Sequence, residues 1–106
     1  MTKRSLGEFE QLVLLAILRI GEGAYAVPVI REIQTQTGRD TSHAAVYIAL
    51  RRLEEKGLVS SHLADPTPER GGRGKRYYAV CPAAITLLRE SRDALLRMWD
   101  GLEIVQ

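Results

Sequence analysis

Residues Thr41 to Val80 read TSHAAVYIALRRLEEKGLVSSHLADPTPERGGRGKRYYAV, and this stretch decides the fold. Val46, Leu50 and Leu53 recur at i, i+4 and i+7, the spacing that puts side chains on one side of an α-helix, so this stripe is expected to face a core. His43, Tyr47 and Arg51 fall on a different stripe. An anchoring apolar face beside a hydrogen-bonding one is what a helix needs to lie in a DNA groove. Gly57 should stop this helix with a left-handed turn, and Lys56 sits where a cation favours the negative end of the helix dipole.

Two strands are expected next, over Leu58 to Ala64 and Arg76 to Val80. The intervening DPTPERGGRGK, Asp65 to Lys75, has the prolines, glycines and charges of a long exposed hairpin loop. Its tip, Arg70 to Arg76, reads RGGRGKR, with four basic residues and none acidic. Such a tip concentrates positive charge on a backbone pliant enough to follow a phosphate ridge. From Arg39 to Arg76 there are eight basic and five acidic residues, a net +3, against +2 for the whole chain. The cationic excess therefore lies where the helix and hairpin are.

Upstream, a second helix is expected over about Val27 to Thr37, with Pro28 in its first turn and Val29, Ile30 and Ile33 as its apolar face. Gly38 closes it, and Thr41 or Ser42 can cap the helix that follows. Two short helices joined by a glycine-containing turn, the second bearing the polar face, read as helix-turn-helix. Before them, Ser5 and Glu8 form a capping box ahead of a largely buried helix carrying Phe9, Leu12, Val13, Ala16, Ile17 and Ile20. Met1 to Arg4 would form a short basic arm.

Beyond the hairpin, Pro82 opens a last helix reaching Trp99 or further. Ala84, Leu88, Ser91, Leu95, Met98, Leu102 and Val105 alternate four-three spacing, a seam of about three heptads that Leu87, Leu96 and Trp99 widen. So apolar a seam on a small chain favours a homodimer, with Leu88, Leu95, Met98, Trp99 and Leu102 as its dimerisation residues.

The fold expected is mostly α with a small β-hairpin, a winged helix-turn-helix over residues 1–80 followed by a C-terminal dimerisation helix over 81–106. The 106 residues fit one domain with a modest core. No apolar run approaches a membrane span, and the opening MTKRSLGEFE lacks the order of a signal peptide, so the expected location is the cytoplasm. The single cysteine, Cys81, excludes an intramolecular disulfide.

Other chemistries fit poorly. GGRGK is not a Walker loop, because Glu69 stands where its first glycine belongs and Arg76 where Ser or Thr belongs. His43, His62 and Cys81 are too few, and wrongly spaced, for a closed zinc site in one chain, and no nucleophile has a base and an orienting carboxylate. No enzyme and no cofactor is expected. Single residues also have plainer readings. Tyr47 reads equally as a packed aromatic, Arg51 and Arg52 as solvated partners of Glu54 and Glu55, and the hairpin tip as a charged loop. Trp99 reads as dimer core in preference to a ligand-stacking platform.

The order of these pieces, with LGEFEQLVLLAIL, AVYIALRRLEEKGLV and PTPERGGRGKRYY, resembles the PadR family of bacterial transcriptional regulators over nearly the whole chain. In length, with one helix after the wing, it resembles the smaller PadR subgroup. The resemblance implies a winged helix, a homodimer built by the C-terminal helix and repression of a nearby promoter. It places Ser42, His43 and Tyr47 on the recognition helix and Arg70, Arg73 and Lys75 on the wing; Arg51 joins them from its position on the polar stripe. Ala26 and Ala84 stand where the family often has Gly, and Cys81 where it often has Thr. The expected partner is double-stranded DNA, and a small-molecule effector, if there is one, would act at the dimer interface. The alternative is a winged helix used as a protein-interaction module, its basic tip docking an acidic partner.

Overall fold

The computed structural model describes residues 6–64 and 75–102. In chain order it contains α1 (Glu8–Ile20), α2 (Ala26–Thr37), α3 (His43–Glu55), β1 (Val59–Leu63), β2 (Arg76–Val80) and α4 (Pro82–Trp99). The three N-terminal helices pack on one another, with the hairpin against α1 and α3, giving a winged helix-turn-helix.

α1 starts two residues later than its capping signal suggests. Glu8 is the first helical residue, and Gly7, extended at φ −67° and ψ 161°, is the cap. The Gly7 N–H donates to Oε1 of Glu10 at 3.1 Å, so Glu10, and not Glu8, reaches back to the helix start. Ser5 lies outside the described residues. The helix buries Val13, Leu14, Ala16 and Ile17 against α2 and α3. It is less covered than its apolar run implies. Leu15 and Leu18 are each 44% exposed, because a 13-residue helix packed along one side turns its opposite row away from the core.

α2 begins at Ala26, one residue before the expected start, and buries Val29, Ile30 and Ile33 as its pattern requires. Gly38, at φ 70° and ψ 4°, ends it in the left-handed conformation, its N–H donating to the Gln34 carbonyl at 2.8 Å. Ser42 then caps α3, its Oγ accepting from the Ala45 N–H at 3.1 Å. Val46, Ala49, Leu50 and Leu53 enter the core, and complete burial of a residue such as Leu50 contributes about 1.5–3 kcal/mol.

β1 and β2 pair antiparallel, Val59 opposite Val80 and Leu63 opposite Arg76. The Ala64 N–H still donates to the Lys75 carbonyl at 2.8 Å, one step beyond the strand proper. The other edge of β2 is partly covered, because the Tyr78 N–H donates to the Ala24 carbonyl at 2.8 Å. The loop before α2 thereby holds the base of the wing.

α4 divides into two halves with different surroundings. Ala84 and Leu88 are buried in the same core as α1 to α3, and Leu87 packs against it. Farther along, Leu95, Leu96, Met98 and Trp99 are exposed, Met98 at 75% and Trp99 at 58%. The helix ends at Trp99, and Gly101 turns the chain with φ 82°. Leu102 thus lies past the helix, so the four-three seam is shorter than three heptads; Val105 lies outside the described residues. No described helix is long and apolar enough to cross a membrane.

Candidate nucleic-acid interface

The buried stripe of α3 fixes which way its other side faces. With Val46 and Leu50 fully buried, His43, Tyr47 and Arg51 are exposed, Tyr47 at 54%. His43 is the first residue of the helix, and Ser42 is exposed beside it, one lone pair of its hydroxyl engaged in the cap. These four side chains share the solvent side of one helix and its start. Ile48, also exposed at 54%, interrupts the polar character of that side.

Alternation along the hairpin gives its two faces different roles. Tyr78, paired with Ser61, lies on the face toward α3, and burial pushes its phenol above the ordinary range, with the Glu54 carboxylate adding to the effect. The Ser61 hydroxyl donates to Oε2 of Glu54 at 2.7 Å and accepts from the Arg76 guanidinium at 3.0 Å. This relay ties both strands to the end of α3. On the opposite face, His62 and Tyr77 stack in a tilted pair with centroids 5.7 Å apart, and Tyr77 meets Tyr25 edge-on at 5.8 Å.

Lys75 enters this arrangement from the end of the stem. Its Nζ lies 4.4 Å from the centre of the Tyr25 ring and donates to the Tyr25 hydroxyl at 3.3 Å. Between the start of α2, Tyr47 of α3 and the stem lies a cleft of about 450 Å³, lined among others by Tyr25, Tyr47, Lys75 and Arg76. No acidic residue is among its described lining residues.

Of the residues singled out in the sequence, Tyr47 and Lys75 meet at this cleft, and Ser42, His43 and Arg51 occupy the adjoining exposed side of α3. Arg70 and Arg73 lie outside the described residues. Among the residues named for dimerisation, Leu88 is covered by the chain's own core, and Leu95, Met98, Trp99 and Leu102 are exposed. Sequence reasoning missed Tyr25 and the Glu54–Ser61–Arg76 relay. Tyr25 belongs to no periodic stripe, and its partner Lys75 is 50 residues away.

Comparison with known proteins agrees with this architecture. Residues 14–89 match the family described as Transcriptional regulator PadR-like family. No curated protein matches the sequence significantly. Among solved structures, a PadR family transcriptional regulator from Eggerthella lenta superposes with a TM-score of 0.67 at 24% identity, covering 89% of this chain and 81% of that one. One from Clostridium difficile gives 0.70 at 18% identity, covering 87% and 91%. RosR of H. salinarum gives 0.68 at 20%, covering 94% and 83%. At these identities the likeness is one of fold.

Proposed function

This chain belongs to the PadR-like family of transcriptional regulators, whose members are not enzymes, and we propose that it represses transcription as a homodimer on a pseudo-palindromic operator. The observation that carries the reading is Tyr47, on the exposed side of α3 that also bears His43 and Arg51, standing across one cleft from Lys75 and Arg76 of the stem. A helix in the major groove and a wing on the flanking backbone need that juxtaposition. Phosphate contacts from the wing, including Arg70 and Arg73 at its tip, supply most of the affinity, and Ser42, His43, Tyr47 and Arg51 adjust sequence choice.

The second protomer is argued from α4. Its exposed Leu95, Met98 and Trp99, with Leu102 just beyond, form apolar surface that a second copy of the helix would cover. Two protomers joined there would present two α3 helices to half-sites about 34 Å, or one helical turn, apart. Occupancy would then exclude polymerase from the promoter in the cytoplasm. A small-molecule effector at the dimer interface would act by favouring one spacing of the two wings, and only to the extent of its differential affinity for the two.

Binding to labelled DNA from upstream of the chain's own reading frame, followed across salt concentrations, tests this. The expected result is steeply salt-dependent binding by a dimer. Replacing Arg73 with alanine should weaken binding to all sequences and flatten the salt slope, whereas replacing His43 should change sequence preference. Indifference to DNA at low salt would favour the protein-interaction alternative.

A further inference from the structure

The cleft between α2, α3 and the wing stem has contents that neither the helix-turn-helix nor the wing tip accounts for. Tyr25, Tyr47, Tyr78, Lys75 and Arg76 are among its lining residues, three phenols and two cations converging on one concavity of about 450 Å³. Lys75 is held by the face and the hydroxyl of Tyr25, and Arg76 by the Ser61 hydroxyl. Lys75 is anchored by a neutral ring and hydroxyl, whereas the charge of Arg76 is partly offset by the Glu54 carboxylate that its Ser61 partner also binds. Having accepted a hydrogen bond from Lys75, the Tyr25 hydroxyl still has its own proton to donate, and the adjacent ammonium makes it a stronger donor.

We propose that this cleft binds one backbone phosphate of the duplex, with Lys75 and Arg76 supplying charge and the Tyr25 hydroxyl a neutral hydrogen bond. The assignment rests on the DNA-binding reading above and adds a contact between those of α3 and of the wing tip. Its place decides its use. A phosphate gripped here is flanked on one side by the helix in the groove and on the other by the wing, so the grip sets the register of α3 along the duplex. Tyr25 is also joined to the base of the wing through Tyr77, at 5.8 Å, and through the neighbouring Ala24 carbonyl, which accepts from the Tyr78 N–H at 2.8 Å. The donors are therefore fixed before DNA arrives, which limits the ordering that binding has to impose.

Charged and neutral donors leave different marks on binding. Because Lys75 and Arg76 share one phosphate, the double variant Lys75→Gln with Arg76→Gln should reduce the magnitude of the slope of log K against log salt by about 0.9 per protomer, and Lys75→Gln alone by a measurable part of that. Tyr25→Phe keeps the ring and its contacts, so it should leave that slope unchanged while weakening binding about three- to tenfold. Thermal unfolding of the variants without DNA provides the folding control. The duplex is then remade with one phosphate at a time replaced by a neutral methylphosphonate. At one position in each half-site the wild type and Lys75→Gln should bind equally. Steep wild-type binding combined with an unchanged slope for Lys75→Gln, or with full affinity for Tyr25→Phe, overturns the site and leaves the regulator reading intact. Absence of wild-type binding to any duplex defeats both. Inorganic phosphate competing at constant ionic strength in the low-millimolar range would show a free-anion site in place of a DNA contact.

Discussion

The Lys56 ammonium donates to both carboxylate oxygens of Glu10, at 2.9 and 3.0 Å, across 46 residues of chain. Because Glu10 also accepts from the Gly7 N–H, one carboxylate joins the start of α1 to the end of α3. Glu10 is largely covered and Lys56 about one-third exposed, so the pair is neither a solvated surface bridge nor a dry one. Glu10→Gln should cost about 1–2 kcal/mol in urea unfolding, within the range for hydrogen bonds to charged groups after allowing for solvent screening. A loss below experimental error would show that water replaces the pair.

α4 should separate stability from association. Leu88 is buried in the core of its own protomer, so Leu88→Ala should lower unfolding free energy by about 2–5 kcal/mol. Trp99→Glu and Met98→Glu alter side chains that touch solvent in the protomer, and should shift the proposed dimer toward monomer in sedimentation without unfolding the protomer. Retention of the wild-type association constant in both variants would place the interface elsewhere.

Gly38 tests the turn between α2 and α3. No atom lies within 4 Å of where a Cβ would sit, so Gly38→Ala introduces no clash and reports only the left-handed backbone at φ 70°. The expected cost is about 1 kcal/mol. A markedly larger loss would mean that the turn has shifted the two helices against each other.

Acid sensitivity should come in part from Glu32. The Arg19 guanidinium, donating at 2.7 Å, and then the Gln36 amide hold its carboxyl below the ordinary value. A carboxyl lowered on folding stabilises the protein above its unfolded pKa, and that contribution fades as pH falls through the folded one. Glu32→Gln should therefore lower stability in the neutral region, converge with wild type in acid, and so flatten the acidic limb of a stability–pH curve. An identical acidic limb in wild type and variant would remove Glu32 from the account.

Legibility in the sequence followed the range of the interactions. Helix periodicity and turn residues act over a few positions, so β2 and α4 appear at Arg76–Val80 and Pro82–Trp99 as the pattern reads, and Ser42 caps α3 as one of the two hydroxyls considered. The start of α1 was misplaced because SLGEFE offers two glutamates in reach of an amide, and only backbone geometry selects Glu10. The exposure of Leu15 and Leu18 is likewise hidden, since an apolar run records hydrophobicity without saying which neighbours exist.

By itself the sequence determined the elements, their order, the buried stripe of α3 and the basic character of the hairpin, all consequences of local spacing and composition. The tertiary structure alone decided that Tyr25 would meet Lys75, that Glu10 would meet Lys56, and that α4 would bury Leu88 while leaving Trp99 uncovered. Each of these depends on how distant segments pack around the shared core, and chain separation carries no trace of spatial distance.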